Sequence, residues 1–351
     1  MPPSEENKPV TLEAIAERVG TSVMTVSRVL NGQLKGRPGA AARRAERIRQ
    51  VAEEMGYRRN HAAWAMLKGR FNAVGLIQST DPLRNQLPPA RLSGINEVLM
   101  SHGYSLSLSA LSEEHLTDEQ YVPRMLRELM VDGLIIGLIR GLPAQLGELI
   151  DRHGIPAVWI NSMHEHDAVW PDDRDAGVRL TRHLIDLGHR RIAYYQPGSK
   201  LPEWMAHYSV GQRQQGYRQA MMTAGLKPQM IRSEHVVPPE ERTAFFEDYL
   251  KRDARPTAIV TYWIPDALSI YRAAHRLGLR IPEDLSIVSF EDDPPFSSIA
   301  MGLTTMRLPE HELGCEAVRM LLKKIKAPRR LQPSLAIPMT LHEAQSTAAP
   351  A

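Results

Sequence analysis

Short apolar segments alternate with helical patterns from Phe71 onward, and this alternation restricts the fold more than any other feature of the sequence. The segments that predict buried strands are residues 73–77, 104–108, 133–138, 156–160, 191–196, 257–262 and 285–290. Helical patterns lie between the first four, near residues 91–102, 118–130 and 143–152. Strands and helices that alternate at this spacing predict parallel sheets with helices on both faces. We therefore expect an α/β fold with two such halves and a cleft between them, where ligands bind outside the carboxyl ends of the strands.

The segment before residue 71 has a different pattern and predicts a small all-α domain. Two short amphipathic helices are indicated, the first by Leu12, Ile15, Ala16 and Val19, and the second, after an N-cap at Ser22, by Val26, Val29 and Leu30. Only Gly20 and Thr21 or so separate them, and two helices joined in this way form a helix-turn-helix. A third helix, roughly Ala40 to Met55, carries apolar side chains that can cover the first two. In a helix-turn-helix the second helix lies in the major groove of DNA.

Positive charge is concentrated in the same segment. Residues 1–70 hold 13 Lys and Arg against 7 Glu and no Asp, whereas the whole chain of 351 residues holds 43 Lys and Arg against 40 Asp and Glu, so the rest is slightly acidic. A basic domain on an acidic body indicates a nucleic-acid contact that is confined to the basic domain. A solvated basic helix without such a partner has the same charge, so charge alone leaves both interpretations open.

Positions on the second helix predict separate roles in DNA contact. Met24 and Arg28 lie four residues apart, on a face turned away from Val26 and Leu30. Arg28 can form two hydrogen bonds with a guanine, whereas Met24 can make only apolar contacts, for example with a thymine methyl group. Val23 lies close to the apolar side, so it either packs in the core or reaches a base. The groups suited to phosphate contacts are the hydroxyls of Ser22, Thr25 and Ser27 and the side chain of Arg43 on the third helix.

Three separated motifs occur in an order that resembles one family of bacterial regulators. They are VTLEAIAERVGTSVMTVSRVLNG, then IRQVAEEMGYRRNHAAWAMLKGR, then AVGLI, and the chain is similar from about residue 10 to residue 341 to the lactose-repressor/galactose-repressor (LacI/GalR) family of transcription regulators. That resemblance implies a helix-turn-helix headpiece, a hinge helix and a ligand-binding core like that of periplasmic sugar-binding proteins. The expected domains are a disordered arm over 1–9, the headpiece over 10–58, the hinge over 59–70, a core over 71–341 and a disordered tail over 342–351. Within the core, subdomain one is expected at about 71–171 and 304–333, and subdomain two at about 172–303 and 334–341.

The resemblance also implies roles for individual residues that contact DNA. Val23, Met24 and Arg28 fall at the family's base-reading positions. The hinge residues expected at the minor groove are Asn60, Ala63, Met66 and Leu67. Met66 takes the position of the apolar wedge, usually leucine, that unstacks bases and bends the duplex. The chain departs from the family pattern at Arg59, where proline is usual, and in GQLKGRPGAA, which is about four residues longer than usual.

In the core, the resemblance implies an effector site built from five positions. Arg213 falls where the family has an arginine that holds ligand hydroxyl or carboxylate groups, and Ser79 and Asn161 end strands at polar contact positions. Glu291 replaces an aspartate that usually binds ligand hydroxyls. Trp263, with the residue after it, replaces an Asn-Asp pair, so it either stacks on a sugar ring or closes the cleft. Further tryptophans that are either pocket platforms or core residues are Trp159, Trp170 and Trp204.

The function implied is that of a sequence-specific DNA-binding regulator, a repressor, that acts as a homodimer on a near-palindromic double-stranded operator. Its affinity for the operator would be controlled by a small molecule in the cleft, with a sugar or sugar derivative favoured. The alternative is a DNA-binding regulator with a degenerate cleft, which responds to no small molecule or to a protein partner. The tryptophan at position 263 keeps that alternative open.

Other classes of function have no positive support in the sequence. We find no P-loop, dinucleotide-binding GxGxxG motif or nucleophile elbow, so neither an enzyme nor a cofactor is predicted. The single cysteine, Cys315, excludes an internal disulfide and any multi-cysteine zinc site, and we expect it to be a buried small residue. The polar run from His164 to Asp167 is interpreted as a loop rather than a metal site. No membrane segment or secretory signal is recognised, and we expect a cytoplasmic, nucleoid-associated protein.

Overall fold

The computed structural model of the protein describes residues 10–32, 39–57, 70–80, 87–128, 130–138, 142–196, 207–233, 237–290 and 302–351. The chain forms two compact units, Met1–Phe71 and Asn72–Ala351. Within the described ranges, none of the helices combines the length and the apolar character that a membrane crossing requires.

The first unit contains the predicted helix-turn-helix. Its helices are α1 (Leu12–Val19), α2 (Val23–Leu30) and α3 (Ala40–Glu54). Thr11 and Ser22 cap the first two, because each hydroxyl accepts a hydrogen bond at 3.3 Å from the backbone N–H three residues later. Gly20 ends α1 with a φ of 70°, a backbone conformation that glycine adopts without strain and that permits the short turn into α2. Ile15, Val26 and Ile48 of the three helices meet in a common core from which water is excluded.

The second unit contains two six-stranded sheets. The strands in chain order are β1 (Ala73–Ser79), β2 (Ser105–Leu111), β3 (Gly133–Gly137), β4 (Ala157–Ile160), β5 (Ala168–Pro171), β6 (Ile192–Tyr195), β7 (Gln229–Ile231), β8 (Ala258–Thr261), β9 (Ser286–Phe290), β10 (Thr304–Arg307), β11 (Leu335–Ile337) and β12 (Thr340–His342). The order in sheet one is β11-β5-β4-β3-β1-β2, and the order in sheet two is β12-β10-β9-β8-β6-β7. All pairs are parallel except β10 with β12. The predicted α/β class with parallel sheets is confirmed.

Helices cover these sheets. They are α4 (Pro89–Ser101), α5 (Glu113–Thr117), α6 (Arg124–Arg127), α7 (Ala144–His153), α8 (Asp173–Asp186), α9 (Tyr208–Thr223), α10 (Arg242–Leu250), α11 (Ile264–Arg276) and α12 (Glu310–Lys326). In sheet one the strand order reverses between β1 and β3, and in sheet two it reverses between β6 and β8. Ligands of open α/β sheets bind in the crevice that such a reversal opens at the carboxyl ends of the strands.

Glycines bring two pairs of helices into backbone contact. A Cβ atom at Gly216 of α9 would overlap the backbone carbonyl of Arg174 on α8, and one at Gly94 of α4 would overlap the carbonyl of His311 on α12. Helices this close have their neighbouring side chains held tightly in place. The contact between α8 and α9 therefore determines how the start of α8 meets the side chains of α9.

Two sequence predictions about the elements and subdomains of the core are wrong. Of the described residues near 118–130, where one helix was expected, only Arg124–Arg127 form a helix, α6, because Pro123 lacks the N–H that a continuous helix needs and instead precedes the first residue of α6. The helix before it, α5, already ends at Thr117. The return to subdomain one was expected at residue 304, but β10 pairs with β9 in sheet two and the chain crosses only afterwards, into α12. The return to subdomain two was expected at residue 334, but β11 (Leu335–Ile337) pairs with β5 of sheet one. The chain therefore returns to subdomain two only at β12.

The expectation of a disordered tail after residue 341 is also wrong. Ser346 is buried, its hydroxyl donates to the Ile287 carbonyl at 2.6 Å, and its oxygen accepts the N–H of Thr304 at 2.8 Å. The N–H of Ala348 donates to the hydroxyl of Ser286 at 3.1 Å. The tail is ordered because it supplies hydrogen-bond partners to buried polar groups of sheet two, which its low hydrophobicity does not reveal.

Candidate DNA interface and effector cleft

The outer face of α2 carries the residues predicted to read bases. Met24 is 64% exposed, Val23 is 37% exposed and Arg28 is also exposed, whereas Val26 on the opposite side is completely buried. Val23 therefore lies outside the headpiece core, and of the two roles left open for it the structure favours contact with a partner. The base-reading assignments themselves remain predictions.

The predicted phosphate-binding residues lie at the rim of the same helix and on α3. The Ser22 hydroxyl caps α2 and lies 2.8 Å from the Thr25 hydroxyl, and the Ser27 hydroxyl accepts a hydrogen bond from Asn31 at 3.1 Å. Arg43 is exposed on the first turn of α3. The hinge positions Asn60, Ala63, Met66 and Leu67 lie outside the described residues, as do Arg59 and most of the segment between α2 and α3.

In the second unit, Arg213 is the centre of a buried polar cluster, which we call the cleft cluster: Asp173, Tyr194, His207, Tyr208, Ser209, Arg213, Arg242, Tyr262, Trp263 and Asp266. The guanidinium of Arg213 lies between two aromatic rings, with its Cζ atom 4.7 Å from the ring centres of both Tyr262 and Phe290. Its Nε donates to Asp173 Oδ1 at 2.7 Å, and Nη1 donates to the Tyr262 carbonyl at 2.9 Å. Arg213 and Asp173 are each only 2% exposed. The arginine is thus held rigidly by its own protein.

Asp173 opens α8 directly after β5, so its carboxylate lies at the carboxyl edge of sheet one and faces α9 of the second half. Burial raises the pKa of Asp173 above its ordinary value, and the Arg213 guanidinium opposes that shift. The Tyr208 hydroxyl lies beside the same carboxyl, and burial raises the pKa of Tyr208 well above its ordinary value. Tyr208 is therefore a neutral hydroxyl that can donate or accept a hydrogen bond.

A chain of hydrogen bonds connects the two halves across the cleft. His207 Nε2 lies 2.9 Å from the backbone carbonyl of Asn161, and its Nδ1 lies 2.7 Å from the Ser209 hydroxyl, which lies 2.9 Å from the Tyr262 hydroxyl. A carbonyl can only accept, so Nε2 carries the proton and neutral His207 accepts at Nδ1. Ser209 then donates to His207 and accepts from Tyr262. The loop after β4 is thereby joined through α9 to the end of β8.

A second ion pair lies beside the first. Arg242 Nη1 donates to Asp266 Oδ1 at 3.1 Å, and Asp266, on the first turn of α11, is completely buried. Trp263 precedes α11 with its indole N–H directed toward the Asp266 carboxyl, and the Arg242 Cζ lies 5.8 Å from the indole ring centre. Burial raises the pKa of Asp266 to about 7, although Arg242 opposes the shift.

The raised pKa of Asp266 predicts a pH-dependent stability. The folded protein holds the Asp266 proton more tightly than the unfolded chain, so this group stabilises the fold fully below pH of about 4, and the contribution is lost as the pH rises through about 7. Compared with an Asp266→Asn variant, the wild-type melting temperature should fall between pH 5 and pH 8. Thermal melting of both proteins over that range measures the difference.

Asp284 provides a control of opposite sign. Its carboxylate accepts hydrogen bonds from the backbone and the side chain of Arg280, and these lower the pKa of Asp284 below its ordinary value. The stability it contributes is present above the unfolded pKa and is lost as the pH falls through the folded one. The difference in melting temperature between the wild type and Asp284→Asn should therefore change with pH in the opposite direction to that between the wild type and Asp266→Asn. If both differences change in the same direction, the assignment for Asp266 is wrong.

Some of the predicted effector residues meet in the cleft cluster and others do not. Arg213 and Trp263 belong to it, and Asn161 reaches it through its backbone carbonyl. Ser79 lies half-buried at the carboxyl end of β1 in sheet one, and its part in an effector site remains a prediction. The ring of Trp159 lies against that of His164, with ring centres 4.3 Å apart and a tilt of 30°, and Trp170 lies in β5 next to β11. Glu291 and Trp204 lie outside the described residues.

Sequence reasoning missed the residues that complete the cluster. Asp173 follows β5, a strand that the sequence did not predict, so nothing marked it as a group at the carboxyl edge of a sheet. Tyr262 ends a predicted strand, which is a signal for such a position. His207 and Ser209 carry no such signal, because their partners lie far away in the chain.

Comparison with known proteins agrees with this architecture. The family model described as bacterial regulatory proteins of the lacI family matches residues 11–60, and the model described as a periplasmic binding protein-like domain matches residues 181–347. The chain is 32% identical over 332 residues to the HTH-type transcriptional regulator MalR of Streptomyces coelicolor, with 90% of each protein covered.

Two solved structures share the fold. One is the lac repressor dimer bound to operator and the anti-inducer ONPF, with a TM-score of 0.77, 23% identity and coverage of 97% of this chain and 100% of that chain. The other is a complex of the transcriptional regulator CelR with cellobiose, with a TM-score of 0.62, 24% identity and coverage of 96% and 99%. The similarity to MalR extends through both units and confirms the resemblance inferred from the motifs. The chain belongs to the LacI family of bacterial regulatory proteins and is a DNA-binding transcriptional regulator.

Proposed function

We propose that this protein is a repressor that binds a near-palindromic operator as a homodimer, in the cytoplasm, and that a neutral sugar in the cleft between its two sheets controls its affinity for that operator. The observation that carries the proposal is the cleft cluster. It lies at the carboxyl ends of β4, β6 and β8, where α/β proteins bind ligands. Its hydrogen bonds also connect both halves of the core, so a ligand bound there would contact both halves and could change their arrangement.

Polar atoms in the cluster support a ligand rather than a degenerate cleft. The Oδ2 atom of Asp173 and the hydroxyls of Tyr194 and Tyr208 are buried and make no hydrogen bond among the described residues. The large majority of buried side-chain polar atoms in proteins have a hydrogen-bond partner. Three buried groups without one, gathered around a single arginine, favour a binding partner that is rich in hydroxyl groups.

The charge of the cluster favours a neutral ligand. Among its described residues the two arginines are each paired with a carboxylate, Arg213 with Asp173 and Arg242 with Asp266. Both guanidiniums are already engaged by these carboxyl groups, so a sugar phosphate or sugar acid would have to displace one of them or be buried beside it, and burial of such a charge is costly. A neutral sugar avoids this cost and can stack its apolar face on an aromatic ring such as that of Tyr262 or Trp263. The cellobiose bound to CelR is a ligand of this chemical class.

The proposed mechanism is linkage between the two units. A ligand that changes the relative position of the two sheets alters the hinge segments and the spacing of the two headpieces in the dimer, so only one arrangement fits paired half-sites. Coupling of about 1–3 kcal/mol would change operator affinity roughly 5–150-fold. Dimerisation follows from the small contact area of one headpiece and from the two-fold symmetry of paired half-sites.

The test uses the full-length chain in two steps. Thermal melting against neutral sugars, sugar phosphates, sugar acids and nucleobases identifies the ligand, since a compound at 100 times its Kd adds about 2.7 kcal/mol of stability and shifts the melting temperature by several degrees. Double-stranded DNA selected from a random pool then serves as the operator in affinity titrations with and without that compound. Equal operator affinity in both titrations would contradict the mechanism. A panel without any shift would favour a protein partner.

Two tyrosine variants separate ligand binding from folding. Tyr194→Phe removes a buried hydroxyl that makes no hydrogen bond among the described residues, so it should leave the stability of the free protein unchanged or slightly higher. If that hydroxyl binds the ligand, the Kd should rise about tenfold, as expected for the loss of one hydrogen bond. Calorimetric titration and thermal melting measure the two quantities.

Tyr217→Phe is the matched control. The Tyr217 hydroxyl bonds to the backbone of Ile192 and Gln229 at 2.7–3.0 Å, and these bonds hold α9 against β6 and β7. Its removal should lower the free energy of unfolding by about 1–3 kcal/mol and leave the ligand Kd unchanged. The reverse pattern, with stability lost in Tyr194→Phe and ligand affinity lost in Tyr217→Phe, would show that the ligand site lies elsewhere.

A further inference from the structure

Three side chains of metal-binding type meet between helices α4 and α12, outside the DNA interface and the cleft cluster. Glu97 lies on α4, and His311 and Cys315 lie one turn apart on α12. One possible ligand atom of each side chain lies within 4.8 Å of those of the other two. We propose that Cys315 and His311, supported by Glu97, bind a thiophilic divalent cation such as Zn²⁺.

The distances suit a tetrahedral ion. The Cys315 sulfur lies 3.7 Å from His311 Nδ1. Zinc binds sulfur at about 2.3 Å and nitrogen at about 2.0–2.1 Å, so two such ligands of one tetrahedral ion are about 3.6 Å apart. The pair therefore has almost the ligand separation that the ion requires, and α12 provides it through the spacing of one helical turn.

Glu97 prepares the histidine for this role. Its Oε2 atom lies 3.0 Å from His311 Nε2, so the carboxylate accepts a hydrogen bond from Nε2, and Nδ1 is the ring nitrogen that faces the sulfur. Histidines that ligate metals commonly donate their other ring N–H to a carboxylate in this way. The Glu97 side chain is also 62% exposed, which leaves it free to turn an oxygen toward the ion as a further ligand.

The surroundings favour a cation and hold the ligands in place. The charged groups that act on Cys315 are the carboxylates of Glu97, Glu312 and Glu316, with Arg319 as the opposing cation. The two helices are joined next to the site by the buried Arg91 and the partly buried Glu310, which pair through two hydrogen bonds of 2.6 and 2.9 Å. Ligands on packed helices keep their geometry better than ligands on loops.

Binding is coupled to the release of one proton. The ion replaces the hydrogen on the Cys315 sulfur, so thiol and divalent cation give a metal-bound thiolate and one H⁺.

Cobalt is the direct probe, because the chain has a single cysteine. Titration of the full-length, chelator-treated protein with Co²⁺ should produce the near-ultraviolet charge-transfer band of a cobalt thiolate and the strong visible bands of tetrahedral Co²⁺, with saturation at one equivalent. Zn²⁺ should then displace the cobalt and abolish both sets of bands. Any thiolate band can arise only from Cys315.

Variants distinguish this site from adventitious binding. Cys315→Ala should abolish the charge-transfer band, His311→Ala should abolish the visible bands of the tetrahedral ion, and Glu97→Gln should weaken cobalt binding about 10–100-fold. The control His275→Gln removes an exposed helical histidine elsewhere and should change none of these signals. Thermal melting without metal verifies that each variant is folded. No thiolate band in the wild-type protein, or unchanged cobalt binding in a folded His311→Ala variant, would overturn the proposal.

Discussion

Replacement of Asp173 by alanine should lower the free energy of unfolding of the core by about 3–5 kcal/mol, because it removes the carboxylate that pairs with the buried guanidinium of Arg213. Arg213 lies between the rings of Tyr262 and Phe290 and is almost completely shielded from water, so it cannot recover solvation by a small movement. Urea unfolding of the full-length chain, followed by the signal of the α/β core, measures the loss.

Asp175 provides the control for this experiment. It lies in the same first turn of α8, but its contact with Arg179 is 3.6 Å long and both side chains are more than two-fifths exposed. Asp175→Ala should therefore cost only about 0–1 kcal/mol. In the Asp173→Ala background, Arg213→Met should recover much of the loss, since removal of both charges leaves no unpaired ion. Equal losses in the free energy of unfolding of the two alanine variants would show that the buried Asp173–Arg213 pair stabilises the core no more than an exposed pair does.

The strands of the core were predictable where they are long and apolar. Residues 73–77 and 285–290 were expected as buried strands, and they lie in β1 and β9, whose residues are almost all buried between helices. Buried parallel strands are continuous apolar runs, which stand out in a sequence. The strands β7, β11 and β12 have three residues each, and such short segments carry no detectable period. Their pairing depends on partners that are distant in the chain.

The candidate site was predictable only in part, for a related reason. Arg213 was expected in the cleft, but its partner Asp173 lies 40 residues earlier, and the pairing exists only because α8 and α9 pack backbone to backbone. The resemblance implied an arginine that binds the ligand directly, whereas in the structure its Nε and Nη1 atoms already bond to the protein. The side chains with hydrogen-bonding capacity to spare, Tyr194 and Tyr208, are ordinary tyrosines in sequence and acquire a role only through burial.

Replacement of Arg28 by alanine should weaken binding to the selected operator by about 1–3 kcal/mol, roughly 5–150-fold, and relax the preference at one base pair of each half-site. Arg28 lies on the exposed face of α2 with Met24, opposite the completely buried Val26, so its truncation leaves the headpiece core intact. A guanidinium that bonds a guanine with two hydrogen bonds discriminates against other bases at that position. Titrations with the selected operator and with single-base variants of it measure both effects.

Arg43→Ala is the matched control, because Arg43 is also an exposed arginine but lies on α3. A contact with phosphate carries no sequence information, so this variant should weaken binding to all the DNA sequences by the same factor. It should also reduce the slope of log affinity against log salt by about 0.9, as expected for the loss of one phosphate contact. If Arg28→Ala instead weakens every sequence equally and flattens the salt dependence, then Arg28 contacts the backbone, and the base-reading face of α2 must be assigned to Val23 and Met24 alone.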